Sequence, residues 1–141
     1  AVEAAAGLRW ARGDRPEAAR WYQALLALRP SDGTALCRLA VSALMERETA
    51  EARNFLQRAT QCEAPTQESV ALMGYVHLLL GDADRARASL QSALRAPAAD
   101  VRPETRFYWA LCLADSGDEA TAEEELRTAA QGLGALRQLL D

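Results

Sequence analysis

The sequence predicts an all-α chain of stacked, antiparallel helix pairs, and three observations carry that expectation. The first is a repeat. Four short phrases say nearly the same thing: Gly13-Asp14-Arg15-Pro16-Glu17-Ala18, Arg47-Glu48-Thr49-Ala50-Glu51-Ala52, Gly81-Asp82-Ala83-Asp84-Arg85-Ala86 and Gly117-Asp118-Glu119-Ala120-Thr121-Ala122. Their closing alanines Ala18, Ala52 and Ala86 stand 34 residues apart and Ala122 follows after 36, a period at which one supersecondary unit stacks on the next. The second is composition. Alanine and leucine dominate, β-branched residues are scarce and isoleucine is absent, a profile that favours helix throughout. The third is that every phrase lies between stretches whose apolar residues recur at helical spacing.

Taken in order, residues 1–12 are alanine-rich and helical in character. Gly13 then suits the position just past a helix end, and Asp14 caps the next helix, with Glu17 three residues on to complete a capping box. Pro16 falls in the first turn, where its missing N–H does little harm. That second helix runs to about Arg29 and stops at Pro30. Ser31 and Asp32 cap a third, about 32–46, which carries Leu36, Leu39, Ala40, Ala43 and Leu44 on one face. The turn at Arg47-Glu48 lacks the glycine of the other three and is expected to be the softest joint. A fourth helix follows from about Thr49 to Cys62, with a break at Ala64-Pro65-Thr66. Helices five and six are expected at about 66–80 and 83–95. The irregular stretch Ala96–Pro103 holds two prolines and accounts for the longer last spacing. Helices seven and eight follow at about 103–116 and 119–131. The remainder, Leu133–Asp141, reads as a capping helix or the start of a further repeat.

With 141 residues, half of them hydrophobic and 26% charged, the chain has the size and composition of one folded domain. Repeat limits fall at about 1–32, 33–66, 67–100 and 103–134. A net charge of −4 argues against nucleic acid, which needs a clustered basic surface. All 16 cations are arginine. Cys37, Cys62 and Cys112 are far apart, odd in number and remote from the single His77, so neither a disulfide framework nor a zinc site is expected. Reduced structural thiols fit a cytoplasmic compartment. No stretch reaches the roughly 18 apolar residues that span a bilayer, so membrane insertion is not expected. A start at Ala1 in mid-helix pattern reads as a segment of a longer chain, from which a targeting signal can have been removed.

The repeat residues resemble the tetratricopeptide repeat family over essentially the whole chain. Ala18, Tyr22 and Pro30 fall on the family's alanine, aromatic and terminal-proline positions. The second unit matches at Leu36, Leu39, Ala40, Ala52, Leu56 and Ala59. The third matches at Met73, Gly74, Gly81, Asp82, Ala86, Leu90 and Ala93, and the fourth at Trp109, Ala110, Gly117, Asp118, Ala122, Leu126 and Ala129. Arg9, at a usually bulky position, and Leu25, at a usually small one, depart from the pattern. The resemblance implies about four repeats in a right-handed superhelical solenoid whose first helices line a concave groove.

Chemistry is sparse. With a single histidine, which reads as packed, no Ser-His-Asp set is expected, and Gly13, Gly81 and Gly117 belong to no phosphate-binding motif. His77 reads as packed in the structure. Glu123-Glu124-Glu125 reads as a solvated face, since consecutive helix positions point in different directions. An enzyme, a cofactor and a metal site are therefore not expected.

Mapped through the family, the groove holds Trp10, Val41, Leu44, Met45, Tyr75, Leu78, Leu79, Phe107 and Leu111. That strip suits an apolar or amphipathic segment of a partner protein, with aromatics as anchors. Gly7, Cys37, Val41, Ala71 and Tyr75 stand where chaperone-binding members of the family carry the lysines, arginines and asparagines of a carboxylate clamp, which disfavours that mode. The same strip reads equally as core if the groove is filled from within. The function expected is a protein–protein interaction module, an adaptor, scaffold or chaperone-like domain. The alternative is structural self-association, as a dimer or by end-to-end stacking of repeats.

Overall fold

The computed structural model describes residues 2–97 and 100–140, with side chains placed as far as residue 131. Among the described residues eight helices follow one another: α1 (Val2–Ala11), α2 (Arg15–Leu28), α3 (Gly33–Met45), α4 (Thr49–Thr60), α5 (Gln67–Leu79), α6 (Ala83–Ala93), α7 (Pro103–Asp115) and α8 (Glu119–Leu140). No strand occurs among the described residues. Sequential helices pair as hairpins, α1 with α2 through α7 with α8. Hairpins then stack, with α2 on α3, α4 on α5 and α6 on α7, while α3 packs beside α5 and α5 beside α7.

Local chemistry places the helix ends close to where the sequence puts them. Gly13, Gly81 and Gly117 adopt φ of 79°, 83° and 89°, a left-handed conformation that costs residues with a Cβ. In each of these turns the N–H of the next aspartate reaches back into the helix just ended. Asp14 donates to the Arg9 carbonyl, Asp82 to His77 and Asp118 to Leu113, at 3.0, 2.9 and 2.9 Å. This is the Schellman closure, which satisfies carbonyls that the helix end leaves free. The aspartate side chains then accept the first free N–H groups of the next helix, Asp14 from Glu17, Asp82 from Arg85 and Asp118 from Thr121. The capping box at Asp14 is only half formed, because the Asp14 N–H is taken by Arg9. Glu17 turns instead toward Arg9 and Arg20. Asp32, not Ser31, caps α3, and Thr66 caps α5.

One boundary differs clearly from expectation. α8 is continuous from Glu119 to Leu140, where an end near 131 and a separate piece from Leu133 were expected. Glycines 132 and 134 lower helix propensity without breaking the hydrogen-bond ladder. Asp141, and Ala98 and Ala99 of the irregular stretch, lie outside the described residues.

The core repeats with the chain. Ala6, Ala40, Gly74 and Ala110 occupy one crossing position, and Ala18, Ala52, Ala86 and Ala122 the facing one; all are buried. Small side chains here let paired helices approach closely. Tyr22, Leu56 and Leu90 fill the space beside them. His77 is buried as expected. Of the acidic run, Glu123 and Glu124 are exposed, but Glu125 is half-buried and faces Arg106 at 3.6 Å.

Candidate functional site

A cleft of about 610 Å³ is walled by α1 (Gly7, Trp10, Ala11), α3 (Arg38), α5 (Glu68, Ala71, Leu72) and α7 with its cap (Arg102, Glu104, Thr105, Tyr108). Every wall is the first helix of its hairpin. The cleft is therefore the inner face of the stack.

Its floor is organised by Arg38. This guanidinium lies over the rings of both Trp10 and Tyr22, 5.6 and 5.4 Å from their centroids. Its Nη1 donates to the Tyr22 hydroxyl, and its Nη2 donates to Glu68 Oε1 at 2.9 Å. Arg38 Nε has no hydrogen-bond partner. The other oxygen of Glu68 faces Arg102 at 3.6 Å, and Arg102 faces Glu104 at 3.6 Å. Four charges thus alternate in sign across the cleft from α3 to α7. Because Arg38 and Glu68 keep only 16% and 32% of their side-chain surface exposed, their pairing is screened less than that of a surface pair, and removing either partner leaves the other poorly solvated.

Aromatic rings frame this line of charges. Trp10 meets Tyr22 edge-on at 6.1 Å. On the far side Tyr75 and Tyr108 stack at 4.4 Å, and Phe107 meets Tyr108 edge-on at 6.3 Å. Burial pushes the Tyr108 phenol up to about 12 and raises that of Tyr22, so both stay neutral hydrogen-bonding groups over the physiological range.

The nine residues expected to form one apolar strip separate into four environments. Trp10 lines the cleft, and Phe107 is exposed at its rim beside Tyr108. Met45 and Leu79 are exposed at the ends of α3 and α5. Leu44, Tyr75, Leu78 and Leu111 are half-buried, the first two packed on the second core cluster and Leu78 on the third. Val41 is corrected outright: only 1% exposed, it is a core residue, because stacking of α3 on α5 closes over its side chain. Cys37 is also fully buried, and burial pushes its thiol up to about 12, leaving a small hydrophobe rather than a nucleophile.

Arg38, Arg102 and Tyr108 were missed. A signal for Arg38 existed: it is the one charged residue in α3, set between Cys37 and Leu39 on a mostly apolar helix. Nothing comparable marks Arg102 or Tyr108. Among the described residues, no group of three His, Cys, Asp or Glu side chains is placed to hold a metal ion. No described helix is long and apolar enough to cross a membrane.

Eight helices in hairpins with small-residue crossings and a groove lined by the first helices make this a tetratricopeptide-type solenoid. Among solved structures the chain is similar to YrrB, described as a TPR protein with an unusual peptide-binding site: TM-score 0.55 and 22% identity, over 90% of this chain and 64% of that one. The chain thus spans just under two thirds of the length of YrrB. No family model matches the sequence, and no curated protein matches it.

Proposed function

We propose that this chain is a protein-interaction module, one domain of about four repeats, that takes an apolar or amphipathic peptide segment of a partner along its inner face. The observation that carries the reading is the 610 Å³ cleft itself, with Trp10 and Tyr108 at opposite walls and alternating charges between them. Rigid aromatics supply contact area at low entropic cost, and the charges supply orienting hydrogen bonds to a peptide backbone. YrrB, which shares the fold, is described as binding peptide. The role is that of an adaptor, scaffold or chaperone-like part of a larger assembly, and binding rather than catalysis is its activity.

The test is selection from a displayed random-peptide library. Peptides enriched on the wild-type chain are expected to share an apolar or aromatic anchor, and to lose at least tenfold in affinity on Phe107→Glu or Arg102→Glu. Both changes are at half-exposed side chains, so melting should stay close to that of the parent. Peptides that bind both variants as well as the wild type would refute the assignment of the cleft.

A further inference from the structure

A second cavity, of about 350 Å³, shares no residue with the cleft. α4 lines it with Arg53, Leu56 and Gln57, α5 with His77, and the start of α6 with Asp82 and Arg85. His77 is only 8% exposed, and among the described residues no protein group hydrogen-bonds its imidazole. A buried polar ring of this kind calls for a partner. Arg53, exposed on α4, forms no ion pair among the described residues. Asp82 is the one carboxylate lining the cavity, and both its oxygens are engaged within the first turn of α6. Its Oδ1 accepts the Arg85 N–H at 3.2 Å, and its Oδ2 faces Arg85 Nε at 3.4 Å. Two guanidiniums and an imidazole thus share a single, already committed negative charge.

The repeat does not require this set. Where α4, α5 and α6 carry Arg53, His77 and Arg85, the corresponding positions of α2, α3 and α4 hold Ala19, Ala43 and Glu51. Those of α6, α7 and α8 hold Arg87, Leu113 and Thr121. The hairpins stack in all three places, so the cationic groups gathered at this one junction are not demanded by the stacking.

We propose that this cavity binds a phosphate-class oxyanion, a free phosphate or a phosphate monoester, with Arg53 and Arg85 as charged donors, the Gln57 amide beside Arg53, and His77 as the buried donor. Donors arriving from three helices suit a tetrahedral group, whose oxygens point in several directions, better than a planar carboxylate. Arg53 and Arg85 less Asp82 leave one net positive charge, and a protonated His77 makes two, which matches a dianion. The charged groups facing the imidazole are Arg53 from α4 and Asp82 and Arg85 from α6. Burial and Arg85 hold the imidazole pKa down and Asp82 opposes them; a bound anion adds to the side of Asp82 and favours the imidazolium.

His77 is the single histidine of the chain, so its imidazole proton resonances report this site alone. They should shift saturably on addition of inorganic phosphate, or of sulfate, which stays dianionic throughout a titration of His77. In saturating sulfate the His77 midpoint should rise by about half a unit or more. Sodium chloride at the same ionic strength should do neither. Arg53→Gln and Arg85→Gln should each weaken binding by about tenfold or more, with melting unchanged because both side chains are exposed. Arg87→Gln, at a cation outside the cavity, should bind as the wild type does. A phosphoserine peptide and its unphosphorylated form separate the two sources. A shift of the His77 resonances with the phosphopeptide alone identifies a monoester site, and a shift with inorganic phosphate but not with the phosphopeptide identifies a free-ion site. Resonances that respond to none of these probes overturn the proposal. So does a weak response that both arginine variants leave unchanged, which would mark an adventitious ion only.

Discussion

Between α3 and α4 the chain turns on Arg47 at φ 61°, whereas between α5 and α6 the same turn is made by Gly81 at φ 83°. The closures match closely. Arg47 and Glu48 donate to Leu44 and Ala43 at 3.1 and 2.8 Å, and Gly81 and Asp82 donate to Leu78 and His77 at 3.1 and 2.9 Å. The hairpins differ again at their crossings, where α3 carries Ala40 and α5 carries Gly74. A Cβ on Gly74 would lie 2.7 Å from Leu90 Cγ and 3.3 Å from the Ala86 carbonyl. One hairpin therefore accepts a methyl at its crossing and strain at its turn, while the other has no room for the methyl and no strain. The turn conformation is imposed by the packing of the two helices, since a residue with no preference for it adopts it where packing requires.

The largest expected effect sits at the tighter crossing. Gly74→Ala should destabilise the fold by about 2 kcal/mol, the cost of overpacking a filled contact, read as a lower denaturant midpoint. Its mirror, Ala40→Gly, should cost less than about 1 kcal/mol, mainly through helix propensity. Equal effects from the two changes would show that the crossings are equally tight.

At the turns the signs should oppose. Gly81→Ala introduces a Cβ into a left-handed position and should cost about 1 kcal/mol. Arg47→Gly removes that strain, offset by the added freedom of glycine in the unfolded chain, for a gain of about 0.5 kcal/mol. Hydrogen exchange gives the local readout: amides 45–50 should exchange faster than amides 79–84, and Arg47→Gly should narrow the gap. Equal protection at the two turns in the wild type would contradict the strain argument.

A smaller gain is expected one residue on. Asp82 caps α6 by accepting from the Arg85 N–H at 3.2 Å, whereas Glu48 makes no side-chain cap bond to α4. Hydrogen bonding to Glu51, and the charge of that group, hold the Glu48 carboxyl above its ordinary range. Glu48→Asp should raise the melting temperature slightly by restoring the cap, and a melting temperature unchanged by it would locate the weakness of this turn in Arg47 alone.

The smallest contrast depends on pH. His77 of α5 stands where α3 has Ala43. Burial lowers its pKa below the ordinary 6.5; Asp82 pulls it back up, and Arg85 pushes it further down. The unfolded imidazole therefore takes up its proton at a higher pH than the folded one. Stability should fall as pH drops through 6.5 toward the folded value and then level off. His77→Gln should flatten that limb of the curve, and a persistent slope would assign it to the carboxylates.

Much of the fold was legible because its determinants are local. Gly13, Gly81 and Gly117 mark left-handed turns, Asp14, Asp82 and Asp118 cap the second helix of each hairpin, and Ala18, Ala52, Ala86 and Ala122 announce close crossings, each with its own short-range physics. Even Arg47 could be placed, because the period supplied what its side chain did not. The inner face was legible only in part. Trp10, placed by its repeat position, lines the cleft, yet Val41, at an equally valid position, is core. Arg38 went unnoticed although it stands alone among apolar neighbours.

The sequence by itself determined the number and length of the hairpins as far as α8 and the turn that closes each one, while which helix of each pair faces inward came only through the family resemblance. Hairpins and turns depend on helical period, capping and the steric cost of a Cβ at positive φ. Only the tertiary structure decided which inward residues stay open. That outcome depends on how far each hairpin rotates on the next, a sum over many side-chain volumes. Arg38 shows the reason most plainly: its place in the cleft requires Trp10 from α1, Tyr22 from α2 and Glu68 from α5 to converge on it, and no local rule brings those three together.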